Sequence, residues 1–82
     1  MKIIAECCTG RCPTLELTEN STVVICDDYG NGVSLTIAQF EALIEQVKEF
    51  EDEQAIATPV GAVVMRYQQW RSLCDQYATA KS

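Results

Sequence analysis

The sequence predicts an α+β fold: a small antiparallel sheet of three or four strands, covered by one amphipathic helix, with a second, C-terminal helix beside it. Three observations carry this reading. Thr14-Leu15-Glu16-Leu17-Thr18 alternates apolar and polar residues, and Thr22-Val23-Val24-Ile25-Cys26 is a β-branched run. The apolar positions Ile37, Phe40, Leu43, Ile44, Val47 and Phe50 recur at helical spacing. The chain of 82 residues makes one domain at most. Its expected order is sheet 2–36, helix 37–51, linker 52–58, helix 59–77 and tail 78–82.

Lys2 to Cys7 reads as a first strand, and Thr9-Gly10-Arg11-Cys12-Pro13 as a link, because Gly and Pro break regular structure. Glu19-Asn20-Ser21 is a polar turn, so 14–18 and 22–27 should form a hairpin. Asn31-Gly32 is the strongest hairpin signal in the chain, since a type I′ turn needs positive φ at both central residues. It should pair Val23–Asp27 with Val33–Thr36. Thr36 then stands as a helix N-cap, with Gln39 three residues on to complete a capping box. The far face of this helix carries Glu41, Glu45, Lys48, Glu49 and Asp52. Acids crowd its C-terminus, where the helix dipole favours cations; this is either a fraying, solvated end or one met by cations from a second helix or a partner. Thr58-Pro59 reads as the start of the second helix, Thr as N-cap and Pro in the first turn. Val60, Val63, Val64, Tyr67, Trp70, Cys74 and Tyr77 then form one stripe, with Met65 and Leu73 outside it. The sequence reads as having no internal repeat and no low-complexity segment.

The net charge of −6, with a pI near 4.3, argues against direct nucleic-acid binding, which draws its affinity from neutralised phosphates. The charge is uneven: residues 1–58 hold eleven acids and three bases, residues 59–82 one acid and three bases. The acidic front either faces a basic partner or simply keeps the chain soluble. No apolar stretch approaches the ~20 residues of a membrane span. Met1-Lys2-Ile3-Ile4-Ala5 meets Glu6 before an export h-region forms, so the expected compartment is the cytoplasm, with its thiols reduced.

Histidine is absent, which excludes Ser-His-Asp and Cys-His catalysis and His-based zinc sites. Cysteines stand at 7, 8, 12, 26 and 74. Cys7, Cys8, Cys12 and Cys26 would suit tetrahedral zinc or an iron–sulfur cluster if the strands bring Cys26 near the others. Against this, paired Cys-x-x-Cys knuckles are missing, and adjacent cysteines on a strand point to opposite faces. Thiols that are merely buried or exposed are the plainer reading. A disulfide such as Cys7–Cys12 requires an oxidised chain, and the odd count would leave at least one thiol free. Arg11 beside Cys12 is the one cation near the cluster, too little to make a nucleophile. Asp27 and Asp28 could be read as an acid–base pair, but Asp28, beside a Gly-Asn-Gly turn, is more often a turn residue that bonds its own backbone.

The pattern Cys12, Leu15-Glu16-Leu17, Val23-Val24-Ile25-Cys26-Asp27 and Gly32 through Lys48 resembles a family of short actinobacterial proteins that includes the developmental regulator BldB. The resemblance covers about residues 12 to 50. Phe40 replaces the family's usual Trp, the Arg-Asp-Ser run gives way to Cys26-Asp27-Asp28, and the chain from Pro59 lies outside the pattern. It implies a small non-enzymatic regulator that binds protein, and some members dimerise.

The preferred expectation is thus a regulatory or adaptor module, not an enzyme, working as a homodimer without a cofactor. Tyr67, Trp70, Arg71 and Tyr77 are the expected interface, because aromatics and Arg dominate interface energetics, with Glu49, Asp52 and Glu53 as an acidic edge. Packing of the aromatic stripe in the chain's own core is the equal alternative. A cysteine-ligated metal protein and an acidic inhibitor of a basic or nucleic-acid-binding partner are the other two readings.

Overall fold

The computed structural model describes residues 2–4 and 12–81. The element order is β1 (Lys2–Ile4), β2 (Thr14–Leu17), β3 (Thr22–Cys26), β4 (Gly32–Thr36), α1 (Ile37–Gln46), β5 (Glu53–Thr58), β6 (Gly61–Arg66) and α2 (Tyr67–Lys81). The first four strands form an antiparallel meander in the order β1-β2-β3-β4, and β5 and β6 form a separate two-stranded sheet. This is the expected α+β class, with the N-terminal strand as the fourth member of the sheet. The second half of the expected first strand lies outside the described residues.

Alternation on the strands sends Leu15, Val23, Ile25, Val33 and Leu35 to one face, all buried. The hairpin β3–β4 has the expected partners, Val23 with Leu35 and Ile25 with Val33, but not the expected turn. Gly32 is a strand residue opposite Cys26, and the loop runs from Asp27 to Asn31. Gly30, at φ +87°, supplies the left-handed residue in place of an Asn31-Gly32 type I′ turn. Asp27, rather than the expected Asp28, is the turn residue and explains the shift: its carboxylate accepts the backbone N–H groups of Tyr29 and Asn31 and so builds a longer loop.

The capping box of α1 forms as expected: Thr36 Oγ1 accepts the Gln39 N–H and Gln39 Oε1 accepts the Thr36 N–H. The helix ends at Gln46, earlier than the expected 51, with Val47 already extended. Continuing it would set Glu49, Glu51 and Asp52 against the negative end of the helix dipole, and the chain turns out instead.

Two further expectations are corrected. Residues 53–58 are not a linker but a strand, and 59–66 are not helical: Pro59-Val60 is the two-residue turn of a hairpin in which Ile56 faces Val63. Thr58-Pro59 serves a turn as well as it serves a helix start. Here the Thr58 hydroxyl accepts the Val60 N–H and donates to the Gly61 carbonyl. Val63 and Met65 are buried by strand alternation, which placed beside the true helical stripe of Trp70, Cys74 and Tyr77 mimicked one continuous helix. The helix then runs through the expected tail to Lys81.

The architecture is a repeat, which corrects the expectation of none. β3-β4-α1 and β5-β6-α2 are the same hairpin–helix unit, offset by 30 positions from β4 onward: Val33, Leu35, Phe40 and Leu43 correspond to Val63, Met65, Trp70 and Leu73, every one buried. Gln39 corresponds to Gln69, whose Oε1 likewise accepts the backbone N–H of the residue before its helix, Arg66. Equivalent elements also meet: β4 lies against β6, and the Phe40 and Trp70 rings touch edge to face with centroids 6.0 Å apart. Like meeting like is the signature of a two-fold pairing, here within one chain.

Candidate functional site

Trp70 and Tyr77 are not surface residues. Trp70 is 1% exposed and Tyr77 4%, and both pack on Phe40, Tyr77 with its ring centroid at 4.8 Å. They are corrected from interface to core: two hairpin–helix units each bring an aromatic to the seam, and the seam is internal. Tyr67 is half-buried, with its ring edge-on to Phe50 at 5.3 Å. Arg71 is exposed and makes a helix-surface ion pair with Asp75 at 3.1 Å. Such a pair contributes about 0.3–0.5 kcal/mol, too little to be a purpose in itself.

The acidic residues do converge. Glu49, Glu51, Asp52 and Glu53 are all exposed and lead into β5. Asp52 holds φ +60°, which turns the chain sharply into the strand. Glu53 accepts the Tyr29 hydroxyl at 2.6 and 2.7 Å, and this hydrogen bond raises the Tyr29 pKa above its ordinary 10. The Phe50–Tyr67 ring pair pins the segment between α1 and β5 to the start of α2. Between that segment and the strand lies a groove of about 470 Å³. Leu43, Gln46, Val47, Lys48, Glu49 and Phe50 line it on one side, and Gln54, Ala55, Ile56 and Ala57 on the other.

The strand beside this groove is an open edge. Val64, opposite Ala55, sends its N–H away from β5 to the Asp27 carboxylate at 2.8 Å. In an antiparallel ladder, residues facing each other across a non-bonded pair both point outward, and such pairs alternate. Glu53, Ala55 and Ala57, opposite Arg66, Val64 and Ala62, therefore direct their N–H and C=O groups outward from the hairpin. Among the described residues nothing bonds them. Other strand margins among the described residues have neighbours at several points. β4 packs against β6, Asp27 takes the outward N–H of Val64, and β1 lies under α2, with Gln76 Nε2 donating to the Ile4 carbonyl.

Asp27 is the hub that joins the two units. Burial works to raise its pKa, but the N–H of Val64, the Asn31 amide and the N–H groups of Asn31 and Tyr29 outweigh it. They hold the carboxyl below its ordinary 3.8. Its bonds go to its own turn and to the β6 backbone.

Of the four cysteines weighed as metal ligands, Cys7 and Cys8 lie outside the described residues. Cys12 is disulfide-bonded and so offers no thiolate, and Cys26 is an exposed free thiol. A disulfide also departs from the reduced thiols expected of a cytoplasmic chain. Among the described residues no group of three His, Cys, Asp or Glu side chains is placed to hold a metal. Cys74 is buried, and burial pushes its thiol up to about 12. No helix among the described residues is long and apolar enough to cross a membrane. Comparison with family models, curated proteins and solved structures finds no match for this chain.

Of this site, sequence reasoning found the acids Glu49, Asp52 and Glu53 but missed the strand that they introduce. The available signal was Ala55-Ile56-Ala57 facing Ala62-Val63-Val64 across Pro59-Val60.

Proposed function

We propose that this chain is a small non-enzymatic regulatory or adaptor module that works by contact with another protein. The observation that carries this reading is the β5 margin: a six-residue strand with unbonded outward backbone groups, a groove of mixed polar and apolar lining alongside and four acids at its start. Folded chains normally blunt such an edge with charge, proline or a covering segment, because it is a template for pairing with another chain. Here Ala55 and Ala57, small and uncharged, occupy its centre. The resemblance of residues 12–50 to a regulator family points in the same direction.

A photo-crosslinking amino acid placed at Gln54 or Ala57, in the native cell, tests the reading, with Glu19 in the distant β2–β3 turn as control. A discrete protein adduct from 54 and 57 but not 19 is the expected result. No adduct at either β5 position would overturn it.

A further inference from the structure

We infer that the β5 edge takes an extended, basic segment of a partner protein as an added antiparallel strand, its apolar residues in the groove and its cations against Glu49, Glu51 and Asp52. This rests on the protein-contact reading above and names the partner's chemistry.

The repeat supplies the geometry. In the first unit the outer margin of β3 is filled by β2, antiparallel, with Leu15 opposite Ile25 and fully buried. Ile25 pairs with Val33 just as Ile56 pairs with Val63, so β5 is the counterpart of β3. Nothing described stands where β2 would stand in the second unit. A strand added there sets one residue opposite Ile56, as Leu15 sits opposite Ile25, and alternation sends that side chain to the core-facing side, over the groove. The consequence of the vacancy is visible in the chain: Gln54 is exposed opposite Met65, where its counterpart Val23 is fully buried opposite Leu35.

Charge selects the occupant. Glu49, Glu51, Asp52 and Glu53 are exposed and outnumber the two cations beside them, Lys48 and Arg66, and no ion pair among the described residues engages Glu49, Glu51 or Asp52. They lie at the start of β5, so an antiparallel segment meets them with its C-terminal half. A second copy of this chain would bring further negative charge to an already acidic molecule, and its own β5 carries no cation. Backbone pairing gives affinity in such strand addition, and the alternate pockets and charges give selectivity.

The probe is a capped peptide of alternating valine and lysine, titrated into the full chain and followed by amide NMR and hydrogen exchange. The controls are a valine–glutamate peptide and a serine–lysine peptide. The expected result is a shift and slowed exchange confined to Glu53, Ala55, Ala57 and the groove walls, seen with valine–lysine alone. Binding should weaken at least about tenfold when salt is raised towards 1 M, where the screening length falls to ~3 Å. Ala55→Pro removes an outward N–H that serves no bond within the fold and should abolish binding. The double variant E49Q and E51Q, which leaves the strand untouched, should weaken it by about tenfold. Equal binding of serine–lysine would overturn the strand geometry and leave only a charged surface. Absence of binding, or β5 signals that vanish on concentration without peptide as a second copy pairs there, would overturn the inference. In-cell adducts from Gln54 and Ala57 would then still uphold the protein-contact reading with a partner of different chemistry.

Discussion

Three residues show how narrowly this small chain is held. Asp27 bonds its own turn and the β6 backbone together, so Asp27→Ala leaves the part-buried Val64 N–H without an acceptor. The expected cost is about 1–2 kcal/mol, since the carboxylate is charged but partly solvated. Because its folded pKa is depressed, its contribution is fully present above the ordinary 3.8 and is lost as pH falls through the lower folded value. In acid melts, wild type should therefore lose stability that Asp27→Asn never had, and the two curves should converge; parallel curves would count against this. Gly61, at φ +151°, brings β6 so close to β4 that an added Cβ would sit 3.2 Å from Val33 Cγ1. Gly61→Ala is expected to lower stability by about 1–2 kcal/mol, measured by urea unfolding. Of the free cysteines among the described residues, Cys26 should label with a thiol reagent in the native state and Cys74 only on unfolding, as peptide mapping would show.

At the scale of the element, the two capping arrangements differ by one side chain. Thr36 and Gln39 bond reciprocally, whereas Gln69 reaches back to Arg66 but Arg66 has no acceptor to return. Arg66→Thr should complete the second box and stabilise the fold by about 0.5–1 kcal/mol, a rise of a few degrees in Tm; no rise would show that the cross-strand neighbour Glu53 depends on that cation. The first box was legible in the sequence because Thr and Gln are both present, as were β2, β3, β4 and the α1 stripe, where alternation or helical spacing is complete. The second half was not. Glu53-Gln54-Ala55-Ile56-Ala57-Thr58 has one inward apolar residue and poor strand propensity, so tertiary pairing with β6 decides its conformation. The repeat escaped notice for the same reason: its matches are Leu35 with Met65 and Phe40 with Trp70, alike in burial and unlike in letter. The groove and its open edge, being products of that second hairpin, were out of reach until the hairpin was known.

Across the whole molecule the stability problem is one of closing a seam. Ordering a chain this short costs about what its apolar burial returns, so the contact between the units weighs heavily. Phe40, Trp70 and Tyr77 make that contact, and Leu73 and Met65 belong to the same buried core. Trp70→Ala should cost about 3–5 kcal/mol and leave much of the chain unfolded at room temperature, by circular dichroism. A folded variant with an unchanged melting temperature would refute the packing described. The surface has a matching asymmetry: the first unit is closed along its outer strand by β1 and β2, and the second is left open.

Trp70 is also the chain's only tryptophan, and it stands where one unit touches the other. The molecule thus carries its own optical gauge. Blue-shifted emission reports a joined pair of units, and a red shift without loss of secondary structure would report their parting. Any occupant of the β5 margin that tightened or loosened the join could be read in that single colour change, with no label attached.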